Sequence, residues 1–395
     1  MARFPGQGRK RVTIAERPAI PAERFAARLA AAGRAAGEAG FDALLIGVGA
    51  DLRYLTGYNP PETERLTMLV VPRHGSATLV VPLLERPAAT AGSRVSVPIE
   101  TWTETQDPAA VVARLARSAA GSASRVGVSD RLWSLHLLRL QVVLPRSEFA
   151  SATVALRGLR MTKDPDEVEL LRLAAQAADR VVDQIAAGPL VGRTEDDVAR
   201  EVRERLIAEG HETADFAIVA SGPNSSSPHH EASDRVIAAG EPIVLDIGGT
   251  LGGYASDTTR TLWVTGGDPA NGPDDEYRHL FAVLRTAQEA ATRVVRPGLA
   301  CEDVDRAARD VIAAEGYGDA FIHRTGHGIG LEGHEEPYLV SGNDEPLGEG
   351  MAFSVEPGIY LEGRYGARIE DIVVCGADGP IPLNRSDHGL RIVHG

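Results

Sequence analysis

Four carboxylates and one imidazole in the C-terminal half of this 395-residue chain constrain its fold more than any other feature. Each lies beside glycines or in a short apolar run typical of a β-strand: Asp246, Asp257, His327, Glu356 and Glu370. If the five side chains converge, the carboxylates repel one another and some must take up protons, unless two dications balance their charge. Convergence would indicate a hydrolase. Taken alone, each residue is more simply interpreted as an ordinary strand or loop residue.

The chemistry of this set indicates which ions it would bind. Oxygen ligands with one imidazole favour Mn, Co or Zn chemistry over a thiolate-rich structural zinc site. Asp246 interrupts an apolar run, where a charge is costly unless it is compensated. A glycine-rich segment joins it to the run that carries Asp257, and it permits a tight hairpin. Because side chains alternate along a strand, a suitable register would place both carboxylates on one face.

Three histidines lie where they could join this site. His334 follows His327 by seven residues and could donate a hydrogen bond to a developing oxyanion. The other two, His229 and His230, end a polar loop that contains glycine and proline, a usual location for binding residues. A solvated loop is the alternative interpretation for all three.

Two further charged residues are candidates at the ends of predicted strands. Glu356 follows an apolar run and precedes a Pro-Gly turn, which suits a ligand or a general base. Arg368 stands at strand spacing before Glu370, so it could hold an active-site carboxylate or substrate. A salt bridge between Arg368 and Asp371 is the alternative, although adjacent strand positions face opposite ways.

Size and composition limit the class of protein. A chain of 395 residues is expected to form two domains, and 43% hydrophobic with 24% charged residues is typical of a soluble globular protein. The net charge of −14 argues against nucleic acid as a partner, and no apolar run is long enough to span a membrane. With two cysteines and a basic N-terminus that has no apolar core, we expect a cytoplasmic protein without disulfides.

Apolar runs alternate with helical patterns in the first part of the chain. Residues 1–22 are expected to form a flexible tail, followed by an α/β domain over residues 23–156. Predicted helices cover 24–39, 111–119 and 132–143, and predicted strands cover 43–46, 67–71, 77–81 and 126–128.

The remaining residues, 157–395, are predicted to form an α+β catalytic domain. The sequence indicates where its first helix begins, because Asp164, Pro165 and Glu167 suit the N-cap, N1 and N3 positions of a capping box. Further helices are predicted at 194–209, 276–295 and 301–315, and strands at 216–220, 243–247, 259–264, 352–355 and 369–374. Helix pairs separated by strands, twice over, indicate a pseudo-symmetric domain.

Five segments of the chain together resemble the metallopeptidases of the pita-bread fold, within the branch of Xaa-Pro dipeptidase (prolidase) and aminopeptidase P. The resemblance rests on the segments 246–261, 325–330, 334–337, 355–360 and 368–371. Residues 51–57 (DLRYLTG) are similar to the N-terminal domain of this branch and of creatinase, and residues 159–165 (LRMTKDP) are similar to its hinge.

The resemblance implies a role for each candidate residue. Asp246 would bind one ion, His327 with Glu356 the other, and Asp257 and Glu370 would bridge both. A water between the ions would be the nucleophile, with Glu356 as its proton shuttle. Around the metal ligands, His229 and His334 would lie at the scissile carbonyl, and Arg368 would lie on the substrate side of the pocket.

The resemblance further implies two divalent ions per subunit, with Mn²⁺ preferred and Co²⁺ or Zn²⁺ as alternatives, a small Xaa-Pro peptide as substrate, and a homodimer. Residues and spacing leave the substrate length open between a dipeptidase and an aminopeptidase P. A creatinase-like amidinohydrolase and a non-catalytic binding protein on the same fold are less favoured, because the five ligand positions are complete.

Overall fold

The computed structural model describes residues 17–120 and 123–394. Most of the predicted tail, residues 1–22, therefore lies outside the described residues. The chain divides into two compact units, one of them Ile20–Arg160 and the other containing Met161–Gly395. This division falls a few residues after the predicted one at 156/157, and the domain limits stay a prediction.

The unit Ile20–Arg160 is a mixed α/β structure around a six-stranded sheet with strand order β4-β3-β2-β1-β5-β6. Its elements are α1 Ala22–Glu38, β1 Ala43–Ile46, α2 Ala50–Thr56, β2 Met68–Pro72, β3 Thr78–Pro82, α3 Arg86–Gly92, β4 Ile99–Trp102, α4 Pro108–Ala120, β5 Arg125–Val128, α5 Ser134–Val143, β6 Glu148–Ser151 and α6 Thr153–Met161. The four predicted strands are confirmed to within one residue at each end. Aliphatic side chains of β1, β2 and α4 form its core.

The first half of the other unit packs two helices against one sheet. It contains α7 Pro165–Ala186, α8 Glu195–Ala208, β7 Thr213–Ser221, β8 Glu241–Leu251 and β9 Tyr254–Val264. With β17, Arg391–Val393, the strands form a sheet of order β17-β9-β8-β7. Apolar residues of α7 and α8 pack on this sheet in one cluster.

The start of α7 is the one predicted in detail. Asp164 is the N-cap and its carboxylate accepts from the backbone N–H groups of Asp166 and Glu167, while the Glu167 side chain accepts from the backbone of Asp164. This reciprocal arrangement satisfies donors that a helix leaves unpaired. The capping box is confirmed.

The second half repeats the arrangement of a helix pair followed by an antiparallel sheet. It contains α9 Asp275–Val294, α10 Cys301–Ala314, β10 Gly326–Gly328, β11 Glu335–Leu339, β12 Ala352–Val355, β13 Gly358–Leu361, β14 Tyr365–Arg368, β15 Asp371–Gly376 and β16 Gly379–Pro382. The main sheet has the order β11-β10-β12-β15-β16, and β13 pairs with β14 separately. The predicted repetition is therefore present.

One predicted strand, 369–374, starts in the wrong place. The chain leaves β14 at Arg368, passes through Ile369 and Glu370 outside either strand, and enters β15 at Asp371. The cause is a change of partner, because β14 pairs with β13 whereas β15 pairs with β12.

Among the helices that the structure describes, none has the combined length and apolar character needed to cross a bilayer.

Candidate metal centre

The hairpin β8–β9 carries the first pair of carboxylates. Its loop is Gly252-Gly253, with φ values of 60° and 91° that glycine adopts without steric cost. Asp257 pairs with Gly248, two positions along β8 from Asp246. The two carboxylates are therefore diagonal neighbours on one face, as the alternation of side chains requires.

The strands β12 and β15 carry the second pair at their ends. Val355 pairs with Asp371 in the antiparallel register. Glu356, which follows β12, and Glu370, which precedes β15, are therefore the next residues on each side of that ladder. Each half of the unit thus contributes two carboxylates from neighbouring antiparallel strands.

The two pairs meet around His327 in three interlocking groups. In each group, one ligand atom per residue lies within 4.8 Å of the others: Asp246, Asp257 and Glu370; His327, Glu356 and Glu370; and Asp257, His327 and His334. They line a cavity of about 430 Å³. The five residues singled out from the sequence converge.

Two of the four carboxylates have a basic partner within 3.1 Å, and Asp257 lies 3.7 Å from His327 Nε2. The Arg368 guanidinium donates from Nη2 to Asp246 Oδ2 at 2.5 Å, and His327 Nε2 lies 3.1 Å from Glu356 Oε1. Burial opposes ionisation of Glu356, but the hydrogen bond from His327 and the positive charges of His327, His323 and Arg368 together outweigh it and lower the pKa of Glu356 to about 2. Glu356 is therefore a carboxylate at neutral pH.

The other two carboxylates have much less compensation. Burial and then the charge of the neighbouring carboxylates raise the pKa of Asp257 and that of Glu370 well above the usual range. Within the described chain, Glu370 forms no ion pair, and its Oε1 and Asp246 Oδ1 are buried without a hydrogen-bond donor. Buried oxygen atoms with free lone pairs and excess negative charge suit divalent cations, so the residues present fit a metal pair.

The imidazole of His327 is oriented through its other nitrogen. Nδ1 lies 3.1 Å from the carbonyl oxygen of Gly328, and the backbone N–H donates to Ser354 Oγ. Nε2 donates its proton to Glu356, and loss of that proton would leave the ring proton on Nδ1 and the Nε2 lone pair facing the carboxylate cluster, the usual orientation of a histidine ligand.

His229 and His334 both line the cavity, whereas His230 does not. The ring of His334 stacks on His327 with centroids 3.7 Å apart. Burial and then His327 lower the pKa of His334 to about 4, so it is neutral near pH 7. His230 instead places Nε2 2.8 Å from Glu195 Oε2.

Arg368 lines the cavity, but most of its N–H groups donate to other groups of the protein. Besides Asp246, it donates to Thr259 Oγ1, to the carbonyl oxygen of Pro228 and to the Tyr360 hydroxyl. The alternative salt bridge with Asp371 is absent from these contacts. Asp371 pairs with Arg260 at 2.7 Å and with His388 at 2.7 Å instead.

Sequence reasoning missed several side chains of the cavity: Phe216, Ile218, His323 and Arg324. It also missed Tyr360, whose hydroxyl lies 2.9 Å from His323 Nε2. Phe216 and Ile218 alternate on β7, and that period-two pattern could have assigned them to one face.

Residues 169–377 match the family described as metallopeptidase family M24, and residues 28–162 match the creatinase/prolidase N-terminal domain. The chain is 44% identical over 378 residues to a probable dipeptidase PepE of Mycobacterium tuberculosis, covering 94% of this chain and 97% of the relative. It is 34% identical over 348 residues to an Xaa-Pro dipeptidase of Lactobacillus helveticus, covering 87% and 92%.

The crystal structure of dipeptidase PepE from Mycobacterium ulcerans is similar over 95% of this chain and 100% of that chain, with 45% identity and a TM-score of 0.88. The predicted fold class is thereby confirmed: an N-terminal α/β domain of the creatinase/prolidase type followed by a pita-bread catalytic domain.

Proposed function

We infer the function from one premise: this chain belongs to metallopeptidase family M24. It is a metal-dependent Xaa-Pro dipeptidase that hydrolyses the peptide bond before proline. The names of the relatives support the substrate class. The observation that carries the proposal is the convergence of four carboxylates and His327 on one cavity, in groups that share Asp257 and Glu370. The same completeness disfavours a creatinase-like amidinohydrolase or a non-catalytic binding protein.

Five residues would hold the two ions. Asp246 would serve one ion, His327 and Glu356 the other, and Asp257 and Glu370 both. Asp257 and Glu370 each share one group of ligand atoms with Asp246 and another with His327, which supports the bridging assignment. When bound, divalent ions polarise a carbonyl and acidify water. Mn²⁺ is the proposed ion because oxygen ligands dominate the set, with Co²⁺ or Zn²⁺ as alternatives.

The chain's own groups would bind the substrate and move the proton. Glu356 is ionised at neutral pH and would accept the proton of the attacking water and pass it to the leaving nitrogen. His229 and His334 would donate hydrogen bonds to the oxygen of the scissile carbonyl. Because the donors of Arg368 go to Asp246, Tyr360 and Pro228, we assign Arg368 to holding the site together rather than to binding the peptide.

Arg324 supports a dipeptide over a longer peptide. It lines the cavity, places Nη2 3.2 Å from His334 Nδ1, and in the described part of the chain has no carboxylate partner. In an Xaa-Pro dipeptide the free carboxylate lies about one residue, ~3.8 Å, beyond the scissile bond. A guanidinium beside His334 is placed to pair with that carboxylate, which a longer peptide does not offer there.

We also propose that the protein is a homodimer in the cytoplasm. Both cysteines, Cys301 and Cys375, are buried free thiols, which suits a reducing compartment. Size measurement at enzymatic concentrations tests the dimer, and a monomer with full activity would contradict it.

One set of assays on metal-reconstituted protein tests the function. We expect two dications per chain and faster hydrolysis of an Xaa-Pro dipeptide than of its C-terminal amide or of Xaa-Pro-Pro. No bound dication at saturating Mn²⁺ or Co²⁺ would overturn the enzyme assignment. A preference for Xaa-Pro-Pro would identify an aminopeptidase P.

Substitution of Arg324 tests the length preference. Arg324→Gln should raise KM for the dipeptide roughly tenfold or more and leave the dipeptide amide unchanged, because only the dipeptide offers a carboxylate to pair. The control is Arg364→Gln, since Arg364 is exposed and paired with Glu276. Equal losses on both substrates would remove Arg324 from this role.

A further inference from the structure

The carboxylate of Glu195 is buried completely at the first position of α8, outside the metal centre. Within the described residues, every hydrogen bond that its side chain accepts comes from the segment 221–233, which begins at the last residue of β7 and is here called the β7–β8 connection. Its donors are Ser221 N and Oγ at 2.8 and 2.7 Å, Asn224 Nδ2 at 3.0 and 3.1 Å, His230 Nε2 at 2.8 Å, and Ser233 N and Oγ at 3.2 and 2.7 Å. One carboxylate therefore ties together the start, middle and end of this connection.

The connection carries a residue of the reaction site. His229 lines the metal cavity, while the next residue, His230, contacts Glu195. Pro228, on the other side of His229, gives its carbonyl oxygen to Arg368 Nη1 at 3.1 Å. His229 is thus held between two anchored neighbours. Because a loop side chain is only as well placed as its backbone, these anchors determine where the imidazole points.

The anchor depends on charge as well as on shape. Burial opposes ionisation of Glu195, but the hydrogen bonds from His230, Ser221 and Ser233 outweigh it, so the pKa of Glu195 is lowered. Hydrogen bonds to an ionised acceptor are roughly twice as strong as neutral ones. An amide in place of the carboxylate would present N–H groups to donors and break part of the network.

We propose that Glu195 is a positioning residue for the reaction, acting through His230 and the β7–β8 connection to hold His229 at the scissile carbonyl. The inference rests on the proposed function. It also gives the adjacent histidines distinct jobs: His229 faces the substrate and His230 ties its backbone to the carboxylate.

The other half of the unit offers a matched comparison. Asp305 on α10 is buried and accepts from the backbone N–H and the hydroxyl of Thr325, two residues before His327. That carboxylate holds the segment of a proposed metal ligand, whereas Glu195 holds the segment of a proposed substrate contact. Asp305→Asn should therefore weaken metal binding, and Glu195→Gln should not.

A double-mutant cycle on the metal-loaded full chain tests the proposal, with the wild type, Glu195→Gln, His229→Ala and the double variant assayed on an Xaa-Pro dipeptide. Glu195→Gln should lower kcat roughly 10- to 100-fold, as expected for a misplaced reacting group, with little change in KM or in bound metal. In the His229→Ala background the same change should cost less than about twofold, because the residue through which it acts is gone.

Controls separate this role from a general loss of structure. Glu201→Gln removes a carboxylate of the same helix that pairs with Arg193 and Arg205, and it should leave kcat unchanged. If Glu195→Gln does not fold, His230→Leu replaces it in the cycle, and His230→Gln, which keeps a donor, should restore activity. Equal losses with and without His229 would overturn the proposal while the function stands. A wild type inactive on every Xaa-Pro peptide would overturn the function first.

Discussion

The two halves of the catalytic unit supply their carboxylates in different ways. In the first half, Asp246 and Asp257 stand in the middle of long strands joined by a two-residue glycine turn. In the second half, Glu356 and Glu370 stand just outside the paired ends of β12 and β15, and the hairpin β13–β14 separates them in sequence. A short hairpin in the first half and the pairing of two strands distant in sequence in the second half both place two carboxylates side by side.

Each half also provides one carboxylate with a basic partner within 3.1 Å and one without: Asp257 lies 3.7 Å from His327 Nε2, and Glu370 has no ion pair among the described residues. Asp246 has Arg368, which comes from the second half, and Glu356 has His327. The less compensated pair, Asp257 and Glu370, shares one group of ligand atoms. The need for a cation is therefore greatest at Asp257 and Glu370, where the two halves meet.

The largest expected effect concerns the less compensated carboxylates. Asp257→Asn or Glu370→Gln should lower activity about 1,000-fold or more, because a proposed ligand of both ions is lost. The metal-free variants should unfold at the same Tm as the metal-free wild type or higher, since a repelling buried charge is gone. Calorimetry with and without metal measures this. Near-normal turnover would refute the bridging assignment.

Asp246→Asn provides the contrast. It leaves the buried Arg368 guanidinium without its carboxylate, which costs about 3 kcal/mol or more. We therefore expect a lower Tm for the metal-free protein, opposite in direction to Asp257→Asn. Equal shifts in both variants would contradict the difference between the compensated and less compensated carboxylates.

The next effect concerns the turns of the two halves. Gly252 in the β8–β9 turn and Gly363 between β13 and β14 have similar φ values, 60° and 70°. An added Cβ at Gly252 would lie 2.7 Å from Leu170 Cδ2, whereas at Gly363 nothing lies within 4 Å. We expect Gly363→Ala to cost about 1 kcal/mol of strain and Gly252→Ala roughly 2–3 kcal/mol. Urea denaturation measures both, and equal costs would mean that Leu170 moves aside.

The smallest effect is a pH dependence of the first half. Burial lowers the pKa of His211 to about 4, and its Nε2 lies 2.9 Å from the hydroxyl of Ser256 on β9. The unfolded chain binds the extra proton below pH ~6.5, so stability should fall as pH drops through 6.5 and level off below 4. Between pH 7 and 5 this amounts to about 2 kcal/mol. Denaturation of the wild type and His211→Gln at both pH values measures it, and an unchanged slope in the variant would exclude His211.

Much of the first half could be predicted because its signals are local. The capping residue Asp164 and the glycines at 252 and 253 satisfy backbone requirements within a few residues, so their conformations follow from residue type. The alternation of side chains then required Asp246 and Asp257 to share a face once the turn length was given.

The second half was less predictable because its strands change partners. A continuous strand 369–374 was expected, but Arg368 pairs in one hairpin and Asp371 in another sheet. The target of Arg368, Asp246, lies 122 residues away in sequence, and no local pattern identifies it. The different orientations of His229 and His230 likewise depend on Glu195, which lies on helix α8 rather than in the loop that carries them.

By itself the sequence determined the set of chemical groups, four carboxylates and an imidazole whose mutual repulsion calls for cations, together with the elements that carry all of them except Glu370. Tertiary structure alone decided which carboxylates have a close basic partner and which of His229 and His230 faces the cavity. It also decided that Arg368 donates to Asp246, Tyr360 and Pro228. The physical reason is the distance along the chain over which each kind of interaction acts. Turns, caps and alternation act over a few residues, whereas the electrostatic environment of a buried charge is the sum of groups that only folding brings together.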